Sequence, residues 1–458
     1  MNNLFWAPLA WMNGRWQSGV LMRVGSDGCW LSLEAGVAAP QGALHLAGPV
    51  LPSLVNAHSH AFQRAFAGLA ERRDSDHDDF WSWRDRMYGV ALRITPAQLQ
   101  AIAAQLYLEL LKGGYTQVCE FHYLQHAPDG SAYPDELAMS WALADAAAQV
   151  GQGLTLLPVL YQHAGLAQTE MRDDQRRFAA DAPWVWRASQ RINAARRPLL
   201  NAGVALHSLR AAHAPDIAGL QALVRGADMP IHIHIAEQQQ EVGDCLAATG
   251  QRPVQWLSSQ FKIDVRWQLV HATHSTRAEI EQVRQSGAGV VLCPGTEANL
   301  GDGLCDLPGW LSAGVPVSLG SDSQVTRAWT EELRWLEYGQ RLGLQRRNVA
   351  AAPGREPATA ARLFEACRVG GAAPAGFKRW GLETGARADF LVLDRSCSGL
   401  LGVPEAMLLD ALVFAAQGTA IRDVFVAGAP LVSQGRHAHE QRIGEAFEQA
   451  MQAIWGQA

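Results

Sequence analysis

The 458-residue chain predicts an α/β protein, a (β/α)8 TIM-type barrel carrying a small β-sandwich domain built from both chain ends. Three observations predict it. Residues 51–380 alternate short β-rich apolar runs with longer Ala/Leu/Arg/Gln stretches of helical character, and such alternation implies a parallel sheet. The runs number eight, the count that closes a barrel, and no GxGxxG follows the first of them as in an open dinucleotide-binding sheet. The third observation is that both ends are strand-rich while neither is large enough to hold a core alone.

In chain order, residues 1–50 read as short strands. Asn13-Gly14 separates Leu9-Ala10-Trp11 from Arg15-Trp16-Gln17, a strong hairpin signal, and Gly25-Ser26-Asp27-Gly28 turns the chain before residues 29–33. The eight runs follow at 53–58, 116–121, 154–160, 203–207, 231–235, 268–271, 289–293 and 315–322. Residues 381–440 return to strands, at 388–394, 424–428 and 430–432, and are expected to pair with residues 1–50. Residues 441–458 read as a final helix packed on the outside.

Composition narrows the function classes. Hydrophobic residues make up 48% and charged residues 18%, a globular balance. With 38 basic and 44 acidic residues the net charge is −6, which leaves no basic surplus for nucleic acid. No apolar run approaches the roughly 20 residues of a membrane helix. The N-terminal MNNLFWAPLAWMNGRW does not read as a signal peptide. Seven cysteines, odd in number and without a CxxC pair, argue against a disulfide framework or a thiolate zinc site and fit a reducing cytoplasm.

Polar residues gather at the C-terminal ends of the runs, the barrel face where active sites are built. His58-Ser59-His60 ends the first. Residues two apart on a strand point the same way, so both imidazoles can face one point. An isolated HxH is more readily a pair of solvated loop histidines. Here the fifth run adds His234 and the eighth adds Asp322, and four N/O ligands suit Zn²⁺, with Fe²⁺ or Mn²⁺ also able to accept them. His232, one layer deeper, reads as a packed or supporting histidine. A second metal would need a bridging ligand such as a lysine carbamate on the fourth strand. The three lysines, Lys112, Lys262 and Lys378, all lie elsewhere, so one metal per subunit is expected. Glu237, three residues after His234, reads either as a helix-start carboxylate or as a proton shuttle. His271 ends the sixth run and reads as a partner of the attacking water.

Together these residues resemble the amidohydrolase superfamily in its mononuclear deaminase branch. The resemblance spans nearly the whole chain and includes Gly381-Leu382-Glu383-Thr384-Gly385-Ala386-Arg387-Ala388-Asp389-Phe390, which leads back into the β domain. Segments at 56–64, 80–84, 120–123, 207–210 and 295–303 narrow it to members that hydrolyse a formimino C=N bond. The resemblance implies conversion of N-formimino-L-glutamate to N-formyl-L-glutamate and ammonia in histidine degradation, by a zinc-dependent homodimer. It implies Glu237, His271 and Asp322 as catalytic groups. The substrate would be a small dicarboxylate. Arg210, His207 and Tyr123 are expected at one carboxylate, and Gln63 at the amide or carboxylate end. Arg84 is expected at the other carboxylate, in its own or the neighbouring subunit. Its alternative is a cation stacked on Trp81 or Trp83. Competing readings are a deaminase of guanine or another aminated heterocycle, a halide-releasing hydrolase of s-triazines, and a catalytically inactive scaffold or regulatory barrel.

Overall fold

A computed structural model of the chain describes residues 3–73, 79–418 and 420–456. Each of the eight runs contributes a barrel strand. In order these are Leu54–Ser59, Tyr115–His122, Gly153–Leu160, a fourth in two pieces (Leu200–Ala202 and Val204–Ser208), Ile231–Ile235, Trp267–His271, Gly289–Leu292 and Val317–Leu319. Nearly every residue in them is buried, because helices cover the outer face while side chains fill the inside. All neighbouring strands are parallel, and Leu319 pairing with Asn56 closes the ring. The fourth strand breaks at Gly203, where a Cβ would lie 2.5 Å from the Pro230 carbonyl oxygen.

Local sequence explains the helix boundaries. Thr95 and Gln98 close a capping box before helix Pro96–Lys112, with proline in the first turn where its missing N–H costs nothing. Thr276 and Glu279 do the same for helix Arg277–Ser286.

The Asn13-Gly14 turn joins strands Leu4–Met12 and Arg15–Val24, with both turn residues at positive φ (51° and 72°), as a two-residue hairpin of this hand requires. The end segments form one nine-stranded sheet, eight strands of it on a single hydrogen-bonded path and Leu44–His45 pairing beside that path, not two separate sheets. That path curls. Trp30 and Phe390 lie on strands four steps apart, about 19 Å in a flat sheet, yet their ring centroids are 5.6 Å apart. Phe5, Phe390 and Phe425 fill the enclosed space, so one bent sheet supplies both faces of the expected sandwich. Arg387 joins it to the barrel, with its guanidinium on Asp389, on Gln117 Oε1 at 2.8 Å and on the Thr116 carbonyl at 3.1 Å.

Helix Glu440–Trp455 packs outside on Pro96–Lys112, with Lys112 Nζ 2.6 Å from Glu440 Oε1. Its Trp455 donates to the Ala65 carbonyl at 3.0 Å, bracing the segment that follows the HxH. Residues 1–2 and 457–458, the outer limits of the expected end segments, lie outside the described residues. No described helix is long and apolar enough to cross a membrane.

Candidate active site

The strand pleat carries His58 and His60 to one point at the barrel mouth. Their Nε2 atoms are 3.1 Å apart, and His234 Nε2 lies 3.0 Å from that of His58. Asp322 Oδ1 stands 3.3 Å from Nε2 of both His58 and His60. Ligands about 2.0–2.1 Å from a tetrahedral zinc would be spaced about 3.3–3.4 Å apart; the distances from His58 to the other three and from His60 to Asp322 suit such an ion, and Asp322 also groups with His271 and Cys293 as candidate ligands. The donor chemistry fits as well. His60 donates from Nδ1 to the Phe121 carbonyl at 2.9 Å, which turns its Nε2 lone pair toward the cluster. Burial lowers the pKa of His58 to about 3 and depresses those of His60 and His234, keeping the rings neutral.

The backbone holds this arrangement tightly. Asp322 adopts φ 47°, its N–H donates to the His58 carbonyl at 3.0 Å, and its own carbonyl accepts from His60 N–H at 3.3 Å. Gly320 permits the close approach, since a Cβ there would lie 2.6 Å from that of His58. His232 is separate from the quartet, with its Nε2 2.9 Å from the Pro374 carbonyl oxygen.

Glu237 follows a turn in which Ala236 has φ 51°. The Ala236 and Glu237 N–H groups donate to the Glu241 carboxylate at 3.1 and 3.2 Å and close that turn. This aims Glu237 into the site, with Oε1 3.7 Å from His271 Nε2 and Oε2 3.7 Å from Arg210 Nη2. Burial raises the Glu237 pKa and so favours its protonated form. Burial alone would lower the His271 pKa, but Glu237 and Cys293 outweigh it and hold it well above the ordinary value. His271 Nε2 also lies 3.8 Å from Asp322 Oδ2.

A cavity opens above the cluster. Its wall includes Gln63, Arg84, Tyr123, His207 and Arg210, beside His60, His234, Glu237, His271 and Asp322. All the residues expected at the site therefore converge, with His58 buried beneath the rest. Three buried polar atoms on or beside this wall, Gln63 Oε1, Arg84 Nε and Arg210 Nη1, lack a protein partner. The arrangement offers guanidinium donors for an anionic ligand. Arg84 stacks on Trp81 at 4.6 Å and on Tyr88 at 5.4 Å while lining the cavity of its own chain. The two expectations for Arg84 are thus compatible, with Trp81 as the ring it stacks on.

Sequence reasoning passed over three buried groups. Cys293 offers a ligand atom within 4.8 Å of those of His271 and Asp322; its place at the end of the seventh run was the available signal. Glu297, within the 295–303 segment but given no role of its own, faces His271 Nδ1 at 3.5 Å and accepts the Cys293 N–H at 2.9 Å. Glu120 accepts from Ser59 Oγ at 2.8 Å, from Ala61 N–H at 2.5 Å and from Tyr107 at 3.2 Å, gripping the HxH from below. Burial lifts its pKa to about 8.

Comparison with known proteins follows the same lines. The profile described as the amidohydrolase family matches residues 50–431. A formimidoylglutamate deiminase of Pseudomonas aeruginosa is 44% identical over 440 residues, 95% of this chain and 96% of that protein. An 8-oxoguanine deaminase of the same organism is 30% identical over 71% of this chain and 72% of its own. The crystal structure of an amidohydrolase from Brucella melitensis superposes with a TM-score of 0.93 at 39% identity, covering 99% of both chains. With most of its length matched by that profile, the chain belongs to the amidohydrolase family.

Proposed function

We propose that the chain hydrolyses the formimino C=N bond of N-formimino-L-glutamate, giving N-formyl-L-glutamate and ammonia, with zinc held by His58, His60, His234 and Asp322. One observation carries the substrate reading: two arginines, Arg84 and Arg210, stand in one cavity above the histidine cluster, each with a buried unpaired nitrogen. Their carboxylate neighbours within the chain, Asp85 for Arg84 and Glu237 for Arg210, stand at 3.7 Å, so a dicarboxylate can supply a closer partner to each. The 44% identity to a formimidoylglutamate deiminase supports the same substrate.

A zinc ion bound there lowers the pKa of water to roughly 7 and so supplies a nucleophile at neutral pH. Asp322 accepts the proton that the water gives up as it attacks the formimino carbon, and His271, 3.8 Å from it, steadies the oxygen of the tetrahedral carbon. Glu237, whose pKa burial raises, is the group that donates to the imine nitrogen. As the tetrahedral carbon collapses to the formyl group, Glu237 passes the hydroxyl proton to that nitrogen, the C–N bond breaks and ammonia leaves; the proton held by Asp322 then returns to Glu237. Arg210, His207 and Tyr123 hold one carboxylate, Arg84 the other, and Gln63 the amide end. Burial keeps His207 neutral, as suits a hydrogen-bonding partner beside Arg210.

Arg210→Ala is expected to weaken substrate binding by about 1.5–3 kcal/mol, the range for a charged hydrogen bond, chiefly as a raised KM. An unchanged kcat/KM would remove Arg210 from the site. We also infer a homodimer in the cytoplasm. All seven cysteines are free, and Trp335 and Leu342 on helix Trp329–Leu344 expose apolar surface (46% and 78%).

The experiment that tests the function is a substrate panel on zinc-loaded protein, scored by ammonia. Formiminoglutamate is expected to be turned over far faster than guanine or 8-oxoguanine, and an s-triazine is expected to give no product. Preference for a ring substrate would overturn the reading.

A further inference from the structure

Trp81 lies outside the cavity wall and outside the catalytic set, yet it touches both arginines of the site. The Arg84 guanidinium carbon is 4.6 Å from its ring centroid and that of Arg210 is 5.3 Å away. Both fall within the roughly 6 Å reach of a cation–π contact. Arg84 comes from Trp81's own helix, Phe80–Ala91, whereas Arg210 follows the fourth barrel strand, so the ring brings together two cations from separate elements. The negative face of the indole offsets part of their mutual repulsion. A guanidinium resting on a ring keeps its edge N–H groups free for carboxylates. Consistent with this, Arg84 Nε and Arg210 Nη1 are buried without a protein partner.

The ring is itself anchored. Trp81 Nε1–H donates to Gln240 Oε1 at 2.7 Å, and Gln240 lies in the first turn of helix Gln239–Thr249, just after Glu237. The spacing of the two arginines is thereby tied to the segment that carries the proton donor.

We propose that Trp81 is the positioning residue that sets the site's preference for two carboxylates over one, by holding Arg84 and Arg210 at a fixed separation. The inference rests on the function proposed above. It predicts that loss of the indole affects recognition of the second carboxylate and leaves the chemical step alone.

The test compares zinc-loaded wild type with Trp81→Ala, Trp81→Leu and Trp81→Phe. Turnover is measured on N-formimino-L-glutamate and on the 4-aminobutyrate analogue, which lacks the α-carboxylate. Binding of glutarate and of butyrate is measured by calorimetry, independently of turnover. Trp81→Leu keeps apolar bulk without a π face and serves if the alanine variant does not fold. The expected result is a rise of about tenfold in KM for the dicarboxylate in the Ala and Leu variants, with kcat within about threefold of wild type. The preference for glutarate over butyrate should fall by a similar factor, and Trp81→Phe should restore most of both. An unaltered preference in Trp81→Leu, or an equal loss of kcat on both substrates, would overturn the inference. If wild type released no ammonia but its glutarate preference still depended on Trp81, the functional reading would fall and the positioning role would stand.

Discussion

Replacing Asp322 with asparagine is expected to stop turnover, lowering kcat by more than about 10⁴-fold, since ion binding and proton transfer are lost together. The variant keeps nearly the same shape, so the effect is chemical. Asp322 Oδ1 faces Nε2 of both His58 and His60 at 3.3 Å, while Oδ2 faces His271. Contact with the His58 ring and the charge of His271 outweigh burial and hold this carboxyl below the usual range, so it is anionic when water must be deprotonated. An asparagine there has no negative charge for a dication and no basic oxygen for the proton. Steady-state ammonia release, with elemental analysis for zinc, checks the outcome. Turnover above a tenth of wild type would remove Asp322 from the mechanism.

The second large effect is at Glu237. Glu237→Gln is expected to lower kcat by about 10²–10⁴-fold, the usual worth of a positioned acid–base group, while zinc content stays at the wild-type level. The two substitutions differ in what they remove. In the proposed mechanism Asp322 is both an ion ligand and a base, whereas Glu237 is a proton donor whose Oε1 lies 3.7 Å from His271 Nε2. The glutamine still offers an oxygen to Arg210 and should leave KM nearly unchanged. Loss of zinc from Glu237→Gln, or a rise in KM without a fall in kcat, would contradict this division of roles.

What sequence could reveal followed the range of each interaction. The HxH pair was legible because strand alternation is local: His58 and His60 share a face whatever else the chain does. His234, His271 and Asp322 were legible because barrel topology carries strand ends to one mouth. The Asn13-Gly14 hairpin was legible for the same local reason, since its two residues accept positive φ. Contacts created by closure of the whole fold were not. Trp81 and Gln240 are 159 positions apart, and nothing in the local pattern pairs them. Glu120 reads as one more polar residue near a strand end until the second strand is seen to deliver it beneath Ser59 and Ala61. Cys293 was set aside by cysteine arithmetic, which tests for pairs of thiols and is blind to a single sulfur beside His271 and Asp322. The curl of the terminal sheet depends on aromatic packing between strands distant in its order, such as Trp30 on Phe390.

The central claim is that four side chains from three strand ends hold a single ion. Anomalous diffraction at the zinc edge, from crystals of the active zinc-loaded protein, tests it most directly. The account predicts one strong peak about 2.0–2.2 Å from Nε2 of His58, His60 and His234 and from a carboxylate oxygen of Asp322. A peak bound elsewhere, or fully active crystals with none at this point, would contradict it.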